Sequence, residues 1–467
     1  MFEPNRQWMR RVGVALTSAV LIGMLNGGCV RPMFYPSPDD YFVTSPGQEL
    51  PPDVRGQMQY VREVYYRMAN RGDDFEGWPE DFQDRWKYAI AFAAYGLPSA
   101  MILDPAHKDE YALLFDNMIW KMKSRRVWGD FTDRGFGSDP ISMQNIMYKG
   151  HLNLMYGLYQ LSTGDTRYAR EFVWLSKQIA DEMRLHHQGH YEGVTCEPNS
   201  WYPECNSIAM LSLYVHDKIY GTHYTENEVR WTLEFMLTKM QDPETRLFYR
   251  SYHPHHDIVT KEILGYANAW ILTMLHPIAP DIMEDLYQNA FRKHMVLTYG
   301  PQFAGIKKDR VYKPERDETA HLLGLLAAKE FGDRKLFGRL RNAADYFGKL
   351  RPAEDGLPGL TYRKEGGILA NGPILAAKLH VGWTAIFEHD WGYPLPLTPP
   401  ETDGMTWRDL LPDREYRYNN GDNPLPASTS DRPCPSCYWG DYKTVSMQHS
   451  PATTATRPGC GLDSLAE

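Results

Sequence analysis

Between about residues 50 and 390, apolar positions recur at steps of three and four, and the helices they predict alternate between two kinds. In 165–185, Tyr168, Phe172, Leu175, Ile179 and Met183 form one stripe, with Arg170, Lys177 and Asp181 off it. That pattern predicts a helix with one buried face. The preceding helix, about 141–162, has Met147, His151, Leu154 and Leu158 on one side and Tyr148, Leu152, Met155 and Tyr159 on another. A helix apolar on most sides is buried on most sides. Richly apolar helices of this kind start near Trp86, Asn145, Cys205, Ile263, Thr319 and Ile374, at intervals of 55–60 residues. One-sided helices fall between them, near 55–70, 107–124, 165–185, 225–241, 279–297 and 334–350. Six helical hairpins, each with an inner and an outer member, predict an all-α fold, an (α/α)6 barrel. An open solenoid is the competing architecture, but polar and aromatic inner helices favour closure around a cavity.

This register also places a site. The connections into the inner helices, 128–140, 192–206, 248–257, 299–318 and 361–372, are long and polar. In a closed barrel they gather at one rim, as functional loops do.

Both ends of the chain differ from the barrel. Arg6, Arg10 and Arg11 precede an uncharged apolar stretch at 12–28, the pattern of an export signal. Leu25-Asn26-Gly27-Gly28-Cys29 resembles a lipoprotein cleavage box. Lipid anchoring through Cys29, ordinary cleavage and a retained membrane segment stay open, and each puts the barrel in the periplasm or cell envelope. Residues 1–29 are therefore read as signal or anchor, 30–50 as a tether, 51–393 as the barrel and 394–467 as an irregular or disordered tail. That tail carries Cys434 and Cys437 without a second cysteine or histidine pair nearby. The charge of −9 argues against a general nucleic-acid binder, which needs a basic excess.

Candidate chemistry concentrates in the loop Cys196-Glu197-Pro198…Cys205. Cys205 stands at an inner-helix start, where the helix dipole favours a thiolate. A disulfide between Cys196 and Cys205 is an equal alternative on spacing. His151 lies mid-helix among apolar neighbours, Tyr266 and Trp270 share the helix at 263–276, and either set can be plain core. His253, His255 and His256 are a weak metal candidate, and no metal is expected.

These residues also carry a resemblance. Asn145 to Tyr159, the Cys196-Glu197-Pro198…Cys205-Asn206-Ser207 stretch, Arg126 to Asp130, Ser251-Tyr252-His253-Pro254 and Tyr266…Ala269-Trp270 are similar, in order and spacing, to the bacterial linalool dehydratase/isomerase family. The resemblance covers roughly residues 50–390. It implies an (α/α)6 barrel that needs no cofactor and acts as a hydro-lyase and isomerase on acyclic monoterpene alcohols and alkenes. It implies catalytic positions at His151, Cys196, Glu197, Cys205 and Tyr266, and substrate contacts at Met147, Tyr202 and Trp270. On this resemblance the two cysteines are reduced thiols facing a cavity. The family's N-terminal helix supplies an Asp and a Tyr; here Glu63 is the matching carboxylate, with Tyr65 or Tyr66 beside it. The family's disulfide has no counterpart, since its positions fall near Asp73 and on Ser124. A homo-oligomer is the expected state, with a small apolar alcohol or alkene as substrate.

Two other readings compete. A carbohydrate-active (α/α)6 enzyme would draw on Trp128, Asp130, Asp133, Asp139, Trp201 and Glu204 for stacking and paired carboxylates. A lipid-anchored protein that binds hydrophobic ligands would keep the pocket without turnover.

Overall fold

The computed structural model describes residues 41–64, 75, 78, 85–309, 318–354, 356–362 and 370–411. Its helices include α1 (Pro52–Val64), α2 (Trp86–Leu103), α3 (Lys108–Lys123), α4 (Arg125–Asp133), α5 (Ile146–Thr163), α6 (Ala169–His187), α7 (Pro203–Tyr220) and α8 (Arg230–Lys239). They continue with α9 (Gly265–Leu275), α10 (Pro280–Leu286), α11 (Arg292–Met295), α12 (Glu318–Glu330), α13 (Arg334–Phe347) and α14 (Gly372–Leu379).

Packing closes a ring. α2 packs on α5, α5 on α7, α7 on α9, α9 on α12, α12 on α14, and α14 returns to α2. Outside it, α3 bridges α2 and α5, and α6 bridges α5 and α7. The π-helical turn Thr225–Val229, which leads into α8, covers α7; α10 covers α9, α13 covers α12 and α1 covers α14. This is the expected α/α barrel. The two helix kinds separate as their patterns predict: every α5 residue from Ile146 to Ser162 is buried, whereas α6 buries one face.

Close approach sets the ring's diameter. A Cβ built on Gly96 of α2 would sit 2.6 Å from the Ala376 Cα of α14, so only glycine permits this crossing, where the first inner helix meets the last. At Gly150 the corresponding Cβ would lie 3.0 Å from the Ala209 nitrogen, which seats α5 against α7.

The strands of the described residues are three short hairpins, all in rim loops: β1–β2 (Ser251–His253, Ile258–Thr260), β3–β4 (Val296–Tyr299, Phe303–Ile306) and β5–β6 (Arg351–Pro352, Leu360–Thr361). Neighbouring loops are bonded to one another. Asn145 N donates to Cys196 O at 3.1 Å, Trp201 and Tyr252 exchange backbone bonds of 2.9 and 2.8 Å, and Gly265 N donates to Lys308 O at 2.9 Å. An asparagine in the first turn of an inner helix repeatedly holds the loop before it. Asn206 bonds both backbone groups of Val194, at 2.9 and 3.0 Å, and Asn268 bonds both of Phe248, at 2.7 and 3.1 Å.

A buried ionic network joins α14 to its outer neighbours α1 and α13. Lys378 donates to Asp53, Gln57 and Asp345 at 3.0, 2.7 and 2.8 Å, and Arg341 pairs with Asp53 at 2.8 Å. At the C-terminal ends of the inner helices, Glu330 accepts from His276 and His380, both at 2.6 Å, and from Trp383 N at 2.9 Å.

Three expectations need comment. Glu63 is exposed on the outer helix α1, apart from the interior of its own chain; the register that leaves Val61 in the core turns Glu63 to the surface. Tyr65 and Tyr66 lie outside the described residues, as do residues 1–40 with their signal and Cys29, and the cysteines at 434 and 437. The packed chain also runs past residue 394: Leu397 N donates to Ile219 O at 2.6 Å, and Leu410 and Leu411 are buried. Among the described residues no single helix is long and apolar enough to cross a membrane.

Burial would raise the Asp53 carboxyl, but Lys378 and Arg341 overrule it and hold it at about 2. A carboxyl depressed by folding adds stability above its unfolded value near 4 and loses it as pH falls through the folded value. Wild type should therefore exceed Asp53→Asn by about 2 kcal/mol at neutral pH, and the gap should close between about pH 4 and 2. Thermal melts across that range check this, and parallel curves would remove Asp53 from the account.

Candidate active site

Three inner helices turn one face each toward the barrel interior near the rim. On α2, Tyr88, Phe92 and Tyr95 follow at steps of four and three and so share a face. On α5 the pair is Met147 and His151, and on α9 it is Tyr266 and Trp270, each one turn apart.

His151 is fully buried, and its ring is boxed by aromatic rings. Ring centres lie 5.5 Å away for Trp270, 5.7 Å for Phe92 and 5.9 Å for both Tyr88 and Tyr95. Tyr95 Oη is 2.6 Å from His151 Nδ1, which fixes the ring's orientation. Burial, with the Lys87 charge added, pushes the imidazole down to about 3, so it is neutral. Burial raises the Tyr95 phenol, which keeps its proton. When Tyr95 donates to Nδ1, Nε2 carries the imidazole proton and offers it to the interior.

The loop before α7 brings the second half. Asn206 ties it down at Val194; Cys196 N then donates to Ser200 O at 2.8 Å, and Ser200 N to Glu197 O at 2.9 Å. Asn199 takes the left-handed conformation (φ 58°) that tightens this turn. Cys196 and Cys205 are both buried and free, with no disulfide between them. Burial pushes the Cys205 thiol well up, and the neighbouring Cys196 adds to it. The thiolate expected from the helix start is therefore not favoured: the partial charge of a helix end is outweighed by loss of water.

The buried polar atoms without a hydrogen-bond partner among the described residues include His151 Nε2, Tyr266 Oη, Trp270 Nε1 and Glu204 Oε2 on the inner helices α5, α7 and α9. Buried polar groups are normally bonded, so this concentration marks a place for polar contact with a ligand. Burial lifts the Glu204 carboxyl to about 7 against the opposing pull of its own backbone N–H and Arg250. Tyr266 is raised by burial first and by Glu204 next.

A cleft opens at the rim between α2, α4, α5 and the cysteine loop. Lys87, Tyr88, Trp128, Met147, Cys196 and Glu197 are among its walls. It encloses about 40 Å³, space for about three waters. Tyr88 belongs both to the cleft and to the box around His151. Burial raises its phenol, and Cys196, Cys205, Glu197 and Tyr266 each add to the shift, which places Tyr88 among them.

The structure thus brings together His151, Cys196, Glu197, Cys205, Tyr266, Met147 and Trp270, with Tyr202 buried beside Tyr266, and leaves out Glu63. Sequence reasoning missed Tyr88, Phe92 and Tyr95, although their spacing on one helix face was available. His253 is occupied by Asn199 O and Thr260 Oγ1, at 3.0 and 3.1 Å. The aspartates of the carbohydrate reading serve their neighbours: Asp130 bonds Arg134 at 2.8 Å, Asp133 bonds Arg125 at 2.7 Å, and Asp139 bonds the Ile141 and Ser142 nitrogens at 2.9 and 2.7 Å.

The sequence model of the family described as linalool dehydratase/isomerase matches residues 87–366. Solved structures of similar shape include a family 76 glycoside hydrolase from a bovine Bacteroides thetaiotaomicron strain, with TM-score 0.47, 13% identity, and 72% of this chain and 77% of that one covered. A family 76 mannosidase from Bacteroides thetaiotaomicron VPI-5482 has TM-score 0.46 and 13% identity, covering 72% and 98%. A family 105 glycoside hydrolase from C. acetobutylicum ATCC 824 has TM-score 0.45 and 12% identity, covering 70% and 99%. Likeness this distant carries no argument about activity.

The two thiols should be free but slow to react. Alkylation in denaturant without reductant should label Cys196 and Cys205 fully, and the native protein at neutral pH should label at least tenfold more slowly, ~1 kcal/mol or more of protection. Peptide mapping that finds the two linked would overturn this assignment.

Proposed function

The chain belongs to the linalool dehydratase/isomerase family, and on that premise we propose that it is a cofactor-independent hydro-lyase and isomerase of acyclic monoterpenoid or similar small alkenols. The observation that carries this reading is the set of buried proton-carrying groups without partners, imidazole, phenol and carboxyl, with the imidazole boxed by aromatic rings and two free thiols buried nearby in the chain.

Dehydrating a tertiary allylic alcohol requires a proton on the leaving hydroxyl, a base for a neighbouring C–H, and tolerance of cationic character between the two events. Tyr266 and His151 Nε2 take the hydroxyl end, with Cys205 behind them. Cys196 and Glu197, at the cleft wall, take the C–H end. Trp270, Phe92 and Tyr88 present ring faces and edges to the substrate, and aromatic faces stabilise a cation without reacting with it. A neutral His151 fits this chemistry, because an imidazolium would repel the allylic cation. Water returned to the opposite end of the allylic system gives isomerisation; loss of a proton gives the alkene.

An envelope location is part of the proposal and rests on residues 1–29 of the sequence. The carbohydrate reading keeps Trp128 and Asp130 at the cleft, but Asp130 is paired with Arg134.

Gas chromatography after incubation with linalool, geraniol and myrcene, with chelator present, should detect interconversion by the wild type. His151→Ala and Tyr266→Phe should each lower kcat by ~10²–10⁴-fold while the melting temperature holds. Silence of the wild type on all three substrates, or undiminished turnover in both variants, would defeat the reading.

A further inference from the structure

The hairpin β3–β4 and the outer helix α13 pack on each other and carry the opposite charge to the chain as a whole. Residues 289–308 and 334–351 hold ten lysines and arginines against one acid, Asp345, in a chain of net charge −9. Four of the ten are engaged. Arg341 lies in the buried network with Asp345, Arg292 pairs with Asp333 at 3.0 Å, Arg351 pairs with Glu354 at 3.2 Å, and Arg334 lies over the Phe42 ring at 5.0 Å. The other six, Lys293, Lys307, Lys308, Lys335, Arg339 and Lys349, make no ion pair among the described residues.

Aromatic rings stand among these charges. Tyr299 and Phe303 are opposite one another in the hairpin and so share one of its sides. Phe303 meets Tyr346 and Phe347 of α13 at ring-centre distances of 5.6 and 5.9 Å. Phe347 is 46% exposed and Tyr299 38%. Lys335, Arg339 and Tyr346 follow on one stripe of α13, the stripe that meets the hairpin turn. There Arg339 Nε donates to Pro301 O at 3.0 Å, and Asn342 Nδ2 to Gln302 O at 3.2 Å. Exposed rings set among unpaired cations suit a lipid headgroup layer: the rings enter it, and the cations meet its phosphates.

The start of the described chain lies on the same helix. The Arg341 guanidinium sits 3.6 Å over the Tyr41 ring. Phe347 is six residues further along α13, a rise of ~9 Å. Residues 29–41 can span at most ~40 Å. A membrane segment or lipid ending at residue 29 therefore leaves this face within reach of the bilayer.

We propose that β3–β4 and the adjoining side of α13 form a docking surface for an anionic phospholipid bilayer. This rests on the envelope location proposed above and adds an orientation to it. The hairpin belongs to the rim, so the barrel lies with this part of its rim against lipid, where small apolar alcohols and alkenes concentrate.

The test mixes the full chain with vesicles of phosphatidylcholine alone, or of phosphatidylcholine and phosphatidylglycerol in equal parts. Lysines are then acylated and each site is read by peptide mass spectrometry. Lys293, Lys335 and Lys349 should react at least ~5-fold more slowly on the anionic vesicles, the factor one cation contributes beside an anionic leaflet. Lys177, exposed on α6 across the ring, should react equally on both. Molar salt should remove most of the protection. Tyr299→Ser with Phe347→Ser should keep the melting temperature, since both side chains are exposed, and should weaken protection at all three lysines. Equal rates on the two vesicles would overturn the proposal. So would protection in detergent without vesicles that deepens with protein concentration, because the face would then belong to a second copy. Flotation with neutral vesicles is a separate readout: its failure would defeat an anchor in residues 1–29, and the lysine rates would still decide the surface.

Discussion

The contact between Gly96 and Ala376 is the condition on which the rest depends. It is where the first inner helix meets the last, at a separation that no side chain on residue 96 would allow. Closing the ring there turns the α2 face bearing Tyr88, Phe92 and Tyr95 from a surface into an interior. The ionic network of Lys378, Asp53, Asp345 and Arg341 ties α14, one partner in this seam, to the outer helices α1 and α13. Such a network gives position more than net stability, because desolvating the charges costs much of what their attraction returns.

Closure then decides protonation. In the interior, charge survives only where it is matched: burial would raise Glu330, yet His276 and His380 hold it at about 2, as Lys378 and Arg341 do for Asp53. At the site burial prevails, helped by the Lys87 charge at His151 and opposed by Arg250 at Glu204, and the groups of the site stay neutral. His151 falls to about 3, Glu204 rises to about 7, and the Cys205 thiol and Tyr266 phenol rise well above their usual values. The barrel separates a framework held by paired ions from a chamber furnished with neutral acids and bases. Proton movement there involves exchanging hydrogen bonds, with no isolated charge to be solvated.

Much of this was legible in the sequence for one reason: burial on all sides and burial on one side leave different patterns. The expected starts at Trp86, Asn145, Cys205, Ile263, Thr319 and Ile374 fall within two residues of the observed helices α2, α5, α7, α9, α12 and α14. His151, Cys196, Cys205 and Tyr266 were legible through the family's motifs. Tyr88, Phe92 and Tyr95 were not, because an aromatic residue on an apolar helix looks the same whether it packs core or lines a chamber. The protonation of Cys205 was misjudged for a related reason. A helix end is visible in sequence, while the water-excluding walls that outweigh it belong to other helices. Glu63 was lost to register, since a carboxylate matched by family position can rotate to solvent within one turn.

The cleft at the rim has a thermodynamic corollary. With about 40 Å³ open among the described residues, it has room for a few waters, less than a ten-carbon alcohol fills. Binding therefore includes the free energy of spreading its walls, and the dissociation constant measured for any such ligand is the intrinsic one divided by the fraction of molecules already spread. Replacing a wall such as Trp128 or Phe136 with a smaller residue alters that fraction without altering the groups that meet the substrate. Affinity and chemistry are thus separately adjustable in this barrel, one by the mouth and the other by the chamber.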